Sequence, residues 1–71
     1  MTDYTYKVIE IVGTSVNGAD DAIKNAIEDA SKTLKHLGWF EVVKQTGHIE
    51  DGKVRHFQVT LKVGFRLDID K

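Results

Sequence analysis

The sequence contains no cysteine and no proline among its 71 residues. Without cysteine the chain forms neither disulfides nor thiolate metal sites. A domain of this length buries a small core and is only marginally stable alone. Association with other copies is therefore the expected source of additional stability.

Long apolar runs and an excess of one charge are also missing. No apolar run approaches the roughly 20 residues that a membrane-spanning helix needs, and residues 1–4 lack the basic start of a signal peptide. Ten basic and eleven acidic side chains give a net charge of −1, with no basic patch for nucleic acid. The absence of cysteine agrees with a reducing compartment. We therefore expect one soluble, cytoplasmic domain over residues 1–71, with no membrane or nucleic-acid partner.

The first half of the chain predicts a strand followed by a helix. Residues 4–13 are rich in aromatic and β-branched types, which favour strands. Asn17 is the expected helix N-cap, with Ser15 as a competitor, and Gly38 is expected to close the helix in the left-handed conformation. Apolar residues spaced by three and four form the stripe that indicates this helix: Ala22, Ile23, Ala26, Ile27, Ala30, Leu34 and Leu37.

The second half predicts a long hairpin. Asp51–Gly52 is a two-residue signal for a type I′ turn. A regular turn sets Glu50 opposite Lys53, so that paired residue numbers sum to 103. The same register sets Gln45 opposite Gln58, although a β-bulge would shift part of this ladder.

The last strand shows strict alternation of apolar and polar residues between Phe57 and Leu67. Its apolar, odd-numbered residues are expected to face the helix and pack against it. The chain is therefore predicted to have an α+β fold of β-α-β-β order, a three-stranded antiparallel sheet with one helix packed on one face.

The predicted register directs Trp39 away from the helix, opposite Gly64. A Trp exposed on a sheet face is normally covered, either by a neighbouring subunit or by a stacked planar ligand. Gln58 offers a donor and an acceptor to the edge of such a ligand. Gly64 and Gln58 are roughly 20 Å apart along the strand at about 3.3 Å per residue. One ring that uses both Trp39 and Gln58 must therefore lie between two copies. The other residues predicted on this face are Glu41, Val43, Gln45 and Thr60.

No catalytic or metal site is predicted. Ser15 has no matching His and Asp for a nucleophile. His48 and His56 are expected to lie near each other across the hairpin as surface imidazoles rather than as metal ligands.

Four blocks in the sequence resemble the bacterial dodecins. They cover essentially the whole chain in the family's order: VIEIVGTS at 8–15, WFEV at 39–42, GHIEDG at 47–52 and FQVTLKVGFRL at 57–67. The resemblance implies a β-α-β-β subunit in a homododecamer that binds flavins in pairs at subunit interfaces. It implies storage and buffering of FMN or riboflavin, with the flavin's photochemistry quenched by electron transfer. Coenzyme A is bound by some members.

The resemblance also implies roles for single residues. Trp39 matches the tryptophan that stacks on the flavin, and Gln58 matches the glutamine that bonds its polar edge. Thr46 stands where many members carry an arginine that contacts the flavin, so a cation is lost there. Arg66 is a candidate partner for the phosphate, and Gln45 is a further candidate contact. The alternative is a structural oligomeric shell with weak or no flavin binding, for which coenzyme A is a candidate ligand.

Overall fold

The computed structural model describes residues 3–67. The elements are β1 (Tyr6–Ser15), α1 (Ala19–Ala30), β2 (Leu37–Glu50) and β3 (Lys53–Arg66). The strands form one antiparallel sheet in the order β1-β3-β2. The predicted β-α-β-β architecture is confirmed. Within the described part of the chain, no helix is long and apolar enough to span a membrane.

The core lies between α1 and the central strand β3. Val59, Leu61 and Val63 are at most 1% exposed and pack with Ala22 and Ala26 of the helix. Burying a side chain such as Leu61 stabilises the fold by about 1.5–3 kcal/mol. The helix packs mainly on β1 and β3, so Phe40 and Val42 on the corresponding side of β2 remain exposed.

The start of the helix differs from the prediction. Gly18, not Asn17, is the N-cap residue, and it makes no side-chain cap hydrogen bond. Strand β1 continues to Ser15, which leaves a short connection to the helix. The Ser15 hydroxyl accepts a hydrogen bond from the Asn17 backbone N–H at 2.9 Å and donates one to the Asp21 carboxylate at 2.7 Å. This link joins the strand end to the first helical turn.

The helix also ends earlier than predicted, at Ala30 rather than near Gly38. His36, with φ 63°, is the left-handed residue of this connection. Leu37 already pairs with Phe65 in the sheet. The last residue of the apolar spacing, Leu37, therefore belongs to a strand, and strand pairing overrides helical periodicity there.

The predicted hairpin register is confirmed beside the turn and again from Trp39 to Val42. Glu50 faces Lys53, and Trp39 faces Gly64, so both pairs sum to 103. Asp51 and Gly52 have positive φ angles of 54° and 74°, as a type I′ turn requires.

Two β-bulges shift the middle of the hairpin by one residue. Val43 is the extra residue on β2, and Arg55 is the extra residue on β3. The five pairs between them sum to 104: Lys44–Thr60, Gln45–Val59, Thr46–Gln58, Gly47–Phe57 and His48–His56. Because these two bulges lie on opposite strands, the second restores the register that the first displaced.

The pairing predicted for Gln45 is therefore wrong. Gln45 faces the buried Val59, which puts it on the helix side of the sheet, and Thr46 faces Gln58 instead. A shift of one residue moves every side chain in the segment to the opposite face. Lys44 and Thr46 thus occupy the face that α1 leaves free.

Candidate functional site

The sheet has one face that α1 does not cover, called here the open face. Its residues follow from the alternation of side chains along each strand. They are the even-numbered residues 6–14 of β1 and 58–66 of β3, with Trp39, Glu41, Lys44, Thr46 and His48 of β2.

Trp39 lies at one end of the open face and is 47% exposed. Its indole rests on Gly64, where an added Cβ would lie 2.6 Å from Cε2 and closer still to Cζ2 and Cη2. The Tyr6 ring packs against it edge-on, with centroids 5.2 Å apart and planes at 69°. The glycine and the tyrosine hold the indole in place, and its other side remains open to a planar group.

Thr46 and Gln58 form a second polar site further along the open face. The Thr46 hydroxyl donates to Gln58 Oε1 at 3.3 Å and lies 3.4 Å from the Gln58 backbone oxygen. Gln58 Nε2 makes no hydrogen bond within residues 3–67, so this amide N–H₂ can donate to a ligand. The pair offers hydrogen bonds without a formal charge.

The two sites are too far apart to serve one ring within one chain. Gly64, under the indole, is six residues from Gln58, or about 20 Å along β3. A ligand that stacks on Trp39 and bonds to Gln58 therefore takes these residues from two different copies.

Arg66 lies at the same end as Trp39. Its Nη2 atom is 3.2 Å from His36 Nδ1, and its Cζ lies 4.6 Å from the centroid of the Tyr4 ring. It is eight residues from Gln58 along β3, about 26 Å at 3.3 Å per residue. The structure therefore brings Trp39 and Arg66 to one end, Thr46 and Gln58 to another segment, and Gln45 to the other face.

Tyr6 and Lys44 are open-face residues that sequence reasoning did not identify. Tyr6 supports the indole, but no turn connects β1 directly to β3, so the sequence offers no simple rule for their register. Lys44 lies opposite Thr60 only because of the Val43 bulge. The signal for Tyr6 is its even position in an alternating strand, and Lys44 has no comparable signal.

The histidine prediction is confirmed in its geometry. His48 and His56 face each other across the strands with ring centroids 6.3 Å apart. Across residues 3–67, no group of three or more potential ligands could hold a metal ion.

Asp21, on the helix, has a perturbed pKa. The hydrogen bond from the Ser15 hydroxyl is the main cause that holds the pKa of this carboxyl below its ordinary 3.8, and the Asn17 and Asn25 amides and the charge of Lys24 act in the same direction. Asn25 also donates to the backbone oxygen of Thr14 at 3.1 Å. This network joins α1 to β1 and lies away from the Trp39 end, so it has a structural role.

The fold and the open face define a small α+β protein that presents a seated tryptophan on an uncovered sheet. The chain belongs to the dodecin family, whose family model matches residues 5–68. It is 51% identical over 63 residues to a dodecin of Thermus thermophilus, a match that covers 89% of this chain and 91% of that protein.

Solved dodecin structures have the same fold. The dodecin from Streptomyces davaonensis is 56% identical and superposes with a TM-score of 0.93, over 96% of this chain and 100% of the other. The dodecin from Streptomyces coelicolor is 54% identical, also with a TM-score of 0.93, over 99% of this chain and 100% of the other.

Proposed function

We propose that this protein is a non-catalytic flavin-binding protein that stores and buffers FMN or riboflavin at interfaces between its own copies. Bound flavin would stack on Trp39 of one copy and accept a hydrogen bond at its polar edge from Gln58 of another. Electron transfer from the indole to the excited flavin would quench its fluorescence and limit its photochemistry.

The observation that carries this proposal is the seated, half-exposed indole. Gly64 beneath it and Tyr6 beside it fix the ring, so stacking costs little conformational entropy. Aromatic stacking contributes about 0.5–1.5 kcal/mol beyond the burial of area. An indole left at 47% exposure without a partner would instead be a large apolar group held in water.

The shape of the chain supports assembly into a closed oligomer, for which we propose twelve copies. The Cα positions span 56 × 20 × 15 Å, because the hairpin extends beyond the helix. Ile49 near its tip is 71% exposed and Val54 is 53% exposed. On the helix side of β2, Phe40 and Val42 are 47% and 45% exposed. Exposed apolar surface of this extent is characteristic of protein–protein contacts.

The chemistry of the open face supports binding without catalysis. The site residues Trp39, Thr46 and Gln58 offer stacking and neutral hydrogen bonds. The carboxylates on the central rows, Glu10 and Glu41, each face Lys62 across the strands. Trp39, Thr46 and Gln58 themselves have no proton that exchanges near neutral pH as a general acid or base requires, so we expect no turnover of the bound flavin.

Titration of riboflavin fluorescence tests the proposal with wild-type protein and Trp39→Ala. Wild type should quench the flavin, and Trp39→Ala should abolish the quenching while it keeps the native mass, about 96 kDa for twelve copies of the 8.0 kDa chain. Val16→Ala, which trims a 65% exposed side chain in the loop before α1, is the control and should bind like wild type.

Quenching by Trp39→Ala equal to that of wild type would refute the stacking. The alternative, an oligomeric shell with weak or no flavin binding, is favoured by the loss of a cation at Thr46. It predicts a native particle that leaves flavin fluorescence unchanged at micromolar protein, and titration with coenzyme A would then be the next measurement.

A further inference from the structure

We infer that Lys44 recognises the phosphate of FMN, so that the site prefers the phosphorylated flavin to riboflavin. This inference rests on the proposed function and specifies its ligand. Lys44 would supply the positive charge beside Thr46 and Gln58, which are both uncharged.

The β-bulge at Val43 determines where Lys44 lies. In a regular ladder Lys44 would oppose Val59 and share the helix side with the core. The extra residue moves it opposite Thr60, on the open face and one pair before Thr46–Gln58 on that face. Two residues along a strand correspond to about 7 Å. The Lys44 side chain and the Thr46–Gln58 pair can therefore contact the same bound ligand.

The charges around Lys44 leave its ammonium group available. Its cross-strand neighbour Thr60 is uncharged, and β2 is an edge strand, so no second strand of the same chain lies beside it. Glu41 is the preceding open-face residue on β2, and it faces Lys62 across the strands. Lys44 is exposed and makes no ion pair within residues 3–67.

The surroundings of the other open-face cations, near the centre and at the Trp39 end, differ from those of Lys44. Lys62 lies between Glu10 on β1 and Glu41 on β2, so opposite charges flank it on both sides. Arg66 lies over the Tyr4 ring and approaches His36 Nδ1 at 3.2 Å. Lys44, in contrast to Lys62, has no carboxylate directly opposite it, and it lies much nearer to Gln58 than Arg66 does.

The chemistry of FMN matches this arrangement. Its isoalloxazine edge carries carbonyl oxygens that accept from Gln58 Nε2, and its phosphate is a dianion at the end of a flexible polyol chain. A lysine ammonium binds phosphate as a point charge and follows such a flexible group on its own four-carbon stem. Riboflavin offers the same ring edge but no anion.

The test compares FMN and riboflavin affinities, from fluorescence quenching, in wild type, Lys44→Gln and Lys62→Gln. Wild type should bind FMN about tenfold more tightly than riboflavin, since a hydrogen bond to a charged group has that magnitude. Lys44→Gln should lose this preference and keep the riboflavin affinity. Lys62→Gln is the matched control and should keep the preference, as should Lys44→Arg, which retains the charge.

The wild-type preference should also fall as salt increases, because an exposed charge pair is screened. Equal wild-type affinity for the two flavins would overturn the inference and leave the proposed function intact. Equal weakening of both ligands by Lys44→Gln, or loss of the preference in Arg66→Gln rather than Lys44→Gln, would also overturn it. Absence of binding by either flavin would instead refute the proposed function and this inference with it.

Discussion

The two faces of the sheet differ in what covers them. On the helix side, Val59, Leu61 and Val63 are at most 1% exposed. On the open face, Tyr6 and Trp39 remain 47% exposed in the single chain. Strand β3 contributes to both, because its odd residues build the core and its even residues line the open face. Alternate residues of one strand therefore contribute to the core and to the face that we propose for ligand binding.

A glycine on each face makes the comparison more specific. A Cβ on Gly13 would lie 2.7 Å from Ala26 Cβ and clash with the Ala22 backbone oxygen, so Gly13 lets the helix approach β1. A Cβ on Gly64 would clash with the Trp39 ring. Gly13 therefore allows the helix to pack closely on β1. Gly64 allows close packing of the indole, for which we propose a role in stacking on the ligand.

Replacement of Leu61 by Ala should give the largest effect on stability. The side chain is fully buried at the centre of the core, and such truncations cost about 2–5 kcal/mol. Denaturant unfolding at fixed protein concentration measures this cost, because association contributes to apparent stability. The folded fraction should quench flavin as wild type does. A loss below about 1 kcal/mol would contradict the view that the helix side carries the stability.

The two glycines should separate stability from binding. Gly13→Ala should cost about 1–3 kcal/mol, because rigid backbone and a helix must move, with flavin affinity unchanged. Gly64→Ala should displace the half-exposed indole at small cost in stability and weaken flavin binding several-fold, by about 1 kcal/mol of stacking. Thermal unfolding and fluorescence titration of both variants measure the two quantities. If the two substitutions changed thermal stability and flavin affinity to similar extents, the two faces would not be separate in function.

The smallest expected effect is the pH dependence from Asp21. Its folded pKa is lowered, chiefly by the Ser15 hydroxyl, so the unfolded chain binds the proton more readily. The resulting stability is fully present above the unfolded pKa of about 3.8 and is lost as the pH falls through the lower folded value.

Denaturant midpoints of wild type and Asp21→Asn at pH 7 and at pH 3 measure this effect. The difference between the two proteins should shrink at the lower pH. Asp20→Asn is the control, since Asp20 is also in the first helical turn and no side chain within residues 3–67 donates to it. A wild-type advantage over Asp21→Asn that grows on acidification would contradict the assignment.

Much of the fold was predictable from local patterns. Alternation between Phe57 and Leu67, together with the Asp51–Gly52 turn, predicted the hairpin and its register beside the turn and from Trp39 to Val42. The same pattern predicted that Trp39 lies over Gly64 and points away from the helix. These features follow from side-chain alternation and turn geometry, which act over a few residues.

Other features were not predictable from such patterns. The bulges at Val43 and Arg55 cancel over the length of the hairpin, so the register at its ends gives no sign of them. Bulges respond to the twist and curvature of the whole sheet. The faces on which Gln45, Thr46 and Lys44 lie depend on that shift, and so they could not be predicted from the alternation of side chains alone.

The sequence by itself determined the strand and helix order, the apolar side of β3 and the exposure of Trp39, because each depends on periodicity along the chain. Tertiary structure alone decided where the helix ends, how Tyr6 supports the indole, and which residues of β2 reach the open face. Those outcomes depend on pairing between segments far apart in sequence, where a displacement of one residue reverses the direction of a side chain.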